Sequence, residues 1–136
     1  MENLHTKTNS ASKTIAQLAA SITDRLDRPL ALVGLMGSGK SAIGRRAAKI
    51  LGFNFTDSDQ KIISHAGISI TEIFELAGEA KFREMEFNVI TNLTLSKPQI
   101  IATGGGTFCC PQTASLLLTK AHVVWLKAPP ETLLAR

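Results

Sequence analysis

Apolar and polar positions alternate along the chain in blocks that change period several times. Ile15, Leu18, Ala19, Ile22 and Leu26 recur at helical spacing, with Ser12 as a candidate cap and Pro29 as the stop. Leu30 to Leu35 is a short, almost wholly apolar run, the pattern of a strand buried on both faces of a parallel sheet. A glycine-rich stretch, Gly34 to Lys40, leads into a predicted helix over Ser41 to Leu51, with Ile43, Ala47 and Ile50 as its apolar face and Gly52 as its end. Phe53 to Thr56 predicts a second strand, followed by an acidic turn, Asp57-Ser58-Asp59. Ser69 and Glu72 form a capping-box pair at the head of a helix whose stripe is Ile70, Ile73, Phe74 and Ala77 and whose end is Gly78. A longer helix is predicted from Glu79 to Leu95, with Phe82, Glu86, Val89 and Leu93 along one line. Gln99 to Thr103 reads as a third strand, Gln112 to Thr119 as a helix, and His122 to Leu126 as a fourth strand; Pro129 and Pro130 open a last helix. Residues up to about 11 are polar and read as a tail.

Strands that alternate with helices predict βαβ units, hence an α/β fold: a parallel sheet flanked by helices on both faces. Ligands of such sheets sit beyond the C-terminal ends of the strands. The glycine loop, the Asp57 turn and the triple glycine Gly104-Gly105-Gly106 all come directly after strands, so they should converge on one edge of the sheet. The domain is expected over 29–136, and 1–28, tail plus helix, is expected to be an N-terminal extension without chemistry of its own.

The chemistry begins at Gly34-Leu35-Met36-Gly37-Ser38-Gly39-Lys40-Ser41, which meets the phosphate-loop pattern G-x-x-x-x-G-K-[ST] at every specified position. Glycines let the backbone wrap phosphate oxygens and turn its N–H groups inward, and the next helix aims its positive end at the same oxygens. Gly37, Ser38, Gly39, Lys40, Ser41 and Ala42 are therefore the expected nucleotide-binding residues. Lys40 can reach the β- and γ-phosphates, and the Ser41 hydroxyl can ligate Mg²⁺. Asp57, at the end of a strand, is the expected acidic partner of that ion; its alternative role is to cap a helix. Arg83 has Glu86 three residues on, which from spacing alone is a solvated i,i+3 ion pair.

Composition narrows the possibilities. The chain has 136 residues, enough for one domain, and is 44% hydrophobic and 19% charged, which excludes a disordered or collagenous chain. The net charge of +4 is scattered and aromatics are 5%, so no stacking platform for nucleic acid is expected, whereas a small anionic substrate suits the balance. No apolar stretch reaches about 18 residues, so no membrane span is expected. The two cysteines, Cys109 and Cys110, are neighbours and read as free thiols of a reducing compartment. A cytoplasmic protein is expected. The Ser-, Thr- and Asn-rich start up to Thr14 leaves a transit segment open, against which Glu2, Asp24 and Asp27 argue. His5, His65 and His122 show no ligand spacing.

The phosphate loop, Asp57-Ser58-Asp59, Ser69-Ile70-Thr71-Glu72-Ile73-Phe74, Gly78-Glu79 with Phe82-Arg83 and Glu86, the triple glycine, and Val123-Val124-Trp125-Leu126 resemble, in this order, the shikimate kinases. The resemblance covers about 29 to 136. It implies a P-loop fold of the nucleoside-monophosphate-kinase type, ATP as co-substrate, Mg²⁺, and transfer of the γ-phosphate to the 3-hydroxyl of shikimate on the way to chorismate and the aromatic amino acids; a monomer is expected. It further implies that Lys40 and Asp59 are catalytic, Asp59 holding the shikimate hydroxyls and accepting the proton of the attacking one. Arg83 would grip the substrate carboxylate, Glu86 would hold Arg83, and Gly104, Gly105 and Gly106 would line the pocket. Arg136 would border the adenine.

Two departures accompany the resemblance. Ala42 stands where the family has threonine, which removes a hydroxyl contact to phosphate worth roughly 1.5–3 kcal/mol. Family members also continue past the arginine matching Arg136 with a lid, a strand and a helix, so the last strand and helix are expected to be missing here and the chain to be a weak or inactive kinase. The alternatives are another small-molecule kinase such as a gluconate kinase, a nucleotide-binding remnant or regulatory protein without phosphotransfer, or a fragment without function. The set Asp59, Arg83 and triple glycine disfavours the gluconate kinase, because it suits a carboxylated polyol ring.

Overall fold

The computed structural model describes residues 17–34 and 38–127. Gly37, Arg136, the Ser12 cap and the helix expected after Pro129 and Pro130 lie outside the described residues. In chain order the elements are α1 (helical over 17–25), β1 (Leu30–Val33), α2 (Lys40–Leu51), β2 (Phe55–Asp57), α3 (Ser58–Ala66), α4 (Ile70–Leu95), β3 (Ile100–Ala102), a 3₁₀ turn (Thr107–Cys109), α5 (Pro111–Lys120) and β4 (His122–Trp125).

Among the described residues the sheet has four parallel strands in the order β2-β3-β1-β4. Ala102 of β3 pairs with Leu32 of β1 on one side and Asp57 of β2 on the other. The C-terminal ends are therefore level, and the segments that leave them meet along one edge.

Side chains of alternate parity serve opposite faces, as a pleated strand requires. Leu32 and Ile100 pack with Ala48 of α2 on one face. On the other, Ala31 and Val33 pack with Ile90 and Leu117, and Ile101 packs with Ile62, Phe82, Val89 and Leu93. The sheet is thus covered by α2 on one side and α3, α4 and α5 on the other, the α/β architecture expected from the alternation.

The helix boundaries agree with the expected signals. Ser69 Oγ accepts from Glu72 N at 3.1 Å and Glu72 Oε1 from Ser69 N at 3.3 Å, closing the capping box. Gly78, at φ 85 and ψ 168, breaks α4 into the two helical stretches that the sequence predicts. Phe82, Glu86, Val89 and Leu93 are all buried, along the predicted line.

Three expectations need correction. The stretch after β2 is not a turn: Asp57 ends the strand, and Ser58 and Asp59 form the first turn of α3, a helix not expected from the sequence. The apolar face assigned to α2 also differs, since Ile43 and Ile50 are 46% and 58% exposed whereas Gly44 and Ala48 are buried. The helix lies so close to the sheet that a Cβ on Gly44 would meet Phe55 Cε2 at 2.5 Å and Leu32 Cδ1 at 3.1 Å, so small residues make the contact. Ala77, expected in the stripe of α4, is exposed.

Candidate active site

The level strand ends bring three segments together. Gly39, Lys40, Ser41 and Ala42 from the start of α2, Asp57 and Asp59 from the β2–α3 junction, and Thr103, Gly104 and Gly105 after β3 line one cleft of ≈ 310 Å³. Of the expected nucleotide residues, Ser38 is buried beside this wall.

At the phosphate loop, Lys40 Nζ donates to Gly34 O at 2.7 Å. Burial lowers the Lys40 pKa from the usual 10.5, opposed by the negative charges of Asp59 and Asp57. Ser41 Oγ donates to Asp57 Oδ2 at 2.7 Å. The other oxygen of Asp57 accepts from Asp59 N at 3.0 Å and Gln60 N at 3.3 Å, which caps α3. Both roles weighed for Asp57 therefore sit on one carboxylate: one oxygen starts a helix and the other faces Ser41. The Ser41 hydroxyl and the Asp57 carboxylate are hard oxygen donors side by side on the cleft wall, and the pair fits Mg²⁺, which is usually held by one or two such groups plus phosphate and water. Among the described residues no group of three or more His, Cys, Asp or Glu could hold a metal by itself.

Asp59 is half-buried in the same cleft. Its pKa is raised above 3.8 first by burial, then by the charges of Asp57 and Glu86, with Lys40 and Arg83 opposing. Its Oδ1 is buried and makes no hydrogen bond among the described residues. A buried acceptor without a donor is costly and calls for an explanation. Gly104 leaves it room, since a Cβ there would stand 2.7 Å from Asp59 Oδ1.

Arg83 is not on the cleft wall. It approaches the glycine loop at its far end, where a Cβ on Gly106 would meet Arg83 Nη2 at 2.6 Å. Arg83 Nη1 donates to Glu86 Oε1 at 2.9 Å, and Arg83 Nε lies 3.7 Å from Glu79 Oε1. Burial works against the arginine's charge, but the hydrogen bond and charge of Glu86, with Glu79, outweigh it and raise its pKa. The solvated ion pair read from spacing alone is corrected: Glu86 has no exposed surface. Its second oxygen accepts from Thr107 Oγ1 at 2.7 Å. Thr107 was not picked out from the sequence, where a threonine after three glycines carries no signal of its own. The Cys109 and Cys110 thiols are free, as expected.

A profile of the shikimate kinase family matches residues 36–136. The chain belongs to the shikimate kinase family. It is 44% identical over 122 residues to the shikimate kinase of Paramagnetospirillum magneticum, covering 90% of this chain and 63% of that protein. It is 47% identical over 109 residues to that of Zymomonas mobilis, covering 80% and 62%. Among solved structures, the shikimate kinase from Acinetobacter baumannii in complex with shikimate aligns at a TM-score of 0.79 and 37% identity, over 87% of this chain and 65% of that one. The Aquifex aeolicus shikimate kinase aligns at 0.74 and 34%, over 79% and 64%. The chain thus spans somewhat under two thirds of the length of these relatives. The parallel sheet flanked by helices described above matches the P-loop kinase fold of these structures over the part aligned. Among the described residues no helix is long and apolar enough to cross a membrane.

Proposed function

We propose that the chain is an ATP-dependent shikimate kinase, transferring the γ-phosphate of ATP to the 3-hydroxyl of shikimate to give shikimate 3-phosphate, in the route to chorismate and the aromatic amino acids. The observation that carries this is the buried, donorless Asp59 Oδ1 beside Lys40. A substrate hydroxyl is the donor it lacks.

Phosphoryl transfer spreads negative charge over the moving group, so catalysis is largely positioning and electrostatic stabilisation. Ser38, Gly39, Lys40 and Ser41 cradle the phosphates, Ala42 adjoins them, and Lys40 swings from Gly34 O toward the transferred group. Asp59 binds the substrate hydroxyls and takes the proton of the attacking one; its raised pKa makes it a better base than an ordinary aspartate. Arg83, oriented by Glu86, meets the shikimate carboxylate with its planar fork. Gly104, Gly105 and Gly106 let the ring lie against backbone between the two. Ser41 and Asp57 would hold Mg²⁺, which when bound neutralises phosphate charge. Gly37 and Arg136 complete the nucleotide site in this proposal, the latter bordering the adenine. The protein works as a monomer in the cytoplasm and needs no nucleic acid or membrane.

The test is ADP release from ATP, Mg²⁺ and shikimate. Shikimate-dependent turnover that disappears in Asp59→Ala supports the kinase. A folded chain that binds ATP without turnover overturns it for this chain, leaving nucleotide binding alone.

A further inference from the structure

Glu86 lies on the apolar line of α4 between Phe82 and Val89, with no exposed surface. Its carboxylate is held at both ends, Oε1 by Arg83 Nη1 at 2.9 Å and Oε2 by Thr107 Oγ1 at 2.7 Å. A carboxylate held at one oxygen turns freely about its last torsion, which is broad and two-fold. A second donor at the other oxygen removes that freedom, and with it the freedom of the arginine.

Thr107 is itself completely buried. It is fixed by the way the glycine loop folds back: Thr107 N donates to Gly104 O at 3.2 Å, and Cys110 N donates to Thr107 O at 3.3 Å. A Cβ on Gly104 would stand 3.1 Å from Thr107 Oγ1 and 2.7 Å from Asp59 Oδ1. The hydroxyl thus sits where the loop that borders Asp59 meets the helix that carries Arg83.

We propose that Thr107 is a positioning residue: its hydroxyl fixes Glu86, Glu86 fixes Arg83, and the affinity for the substrate carboxylate depends on a hydroxyl that does not touch the substrate. The kinetic side of this inference rests on the proposed kinase activity; the structural side does not.

Thr107→Val replaces the hydroxyl by a methyl of similar shape and leaves Glu86 Oε2 buried without a donor. Losing a hydrogen bond to a charged group should raise KM for shikimate about tenfold or more, with KM for ATP within about twofold. Thr107→Ser keeps the hydroxyl and should restore KM. A role in packing alone gives the opposite order, with valine tolerated and serine impaired. Thr107→Ala removes the hydroxyl without added bulk and must show the same shikimate-specific rise, which covers a valine variant that fails to fold. The Arg83 Nε–H resonance, assigned by its loss in Arg83→Lys, should be sharp in the wild type and Thr107→Ser and broadened or shifted in the hydroxyl-free variants. If the wild type does not turn over shikimate, the kinase proposal falls and this resonance alone decides the role of Thr107. A wild-type KM in the hydroxyl-free variants, an equal rise for ATP, or an unchanged Arg83 resonance overturns the inference.

Discussion

Arg83 and Glu86 form a 2.9 Å ion pair in which the arginine side chain keeps 26% of its surface exposed and the glutamate 1%. The glutamate is the anchor and the arginine the presented end. Arg83→Lys keeps a positive charge near Glu86 but loses the fork that matches a carboxylate. KM for shikimate should rise about tenfold to a hundredfold, with ATP binding unchanged. Arg83→Ala, which leaves the buried Glu86 charge with the Thr107 hydroxyl but no cation, should also destabilise the fold, by about 3 kcal/mol. Steady-state kinetics and urea unfolding separate the two effects.

Asp59 should show a conflict between stability and activity. Because burial, Asp57 and Glu86 raise its pKa in the folded state, folding favours the protonated form. The stability it contributes is complete below the unfolded pKa of about 3.9 and is lost as pH rises through the higher folded value. Asp59→Asn should therefore raise Tm at neutral pH, with the gain vanishing in acid, while kcat falls by about 10²–10⁴. Thermal melts across pH, beside an activity assay, check both halves.

The pH profile of kcat/KM should be narrower than ordinary residues would give. Its acid limb should lie above 3.8, because Asp59 must be charged to accept a proton, and its basic limb below 10.5, because Lys40 must keep its own. Asp59→Asn should remove the acid limb from whatever activity remains.

Alanine at three glycines should separate packing from positioning. At Gly104 and Gly106 the new methyl meets Asp59 Oδ1 at 2.7 Å and Arg83 Nη2 at 2.6 Å, both ends of movable side chains. Those variants should fold with nearly wild-type Tm and lose shikimate affinity. At Gly44 the methyl meets the Phe55 ring at 2.5 Å. That variant should lose about 1–3 kcal/mol of stability by overpacking.

Ala42 lines the cleft and is exposed. Ala42→Thr should place a hydroxyl within reach of phosphate and lower KM for ATP several-fold, up to about tenfold. Titration with a fluorescent ATP analogue reads the change without requiring turnover.

Much of this was legible because it depends on local signals. The capping box at Ser69, the break at Gly78 and the line from Phe82 to Leu93 each lie within a few turns of one another, and the phosphate loop is a contiguous pattern. Helix α3 was missed although a helix cap was one role weighed for Asp57: Asp57-Ser58-Asp59 by itself reads as a turn, and only the Asp57 cap taken together with Gly67 as the stop marks the helix. The face of α2 was misjudged because hydrophobicity marks Ile43 and Ile50, whereas contact with the sheet is decided by how close Gly44 lets the helix come. The burial of Glu86 agrees with the predicted line, but its second partner, Thr107, is brought there only by the return of the glycine loop, which no periodicity reports.

The strand order also governs how the molecule can be made. β1 and β2 do not pair with each other; β3 lies between them, and among the described residues β4 pairs only with β1. A chain emerging from the ribosome has no sheet at all until Ile100–Ala102 has been synthesised, although its phosphate loop and Asp57 are already present. Non-local pairing of this kind is slow, because loops must close before contacts reward them. Nucleotide binding should therefore be absent from nascent chains that stop short of β3 and should arise together with the sheet.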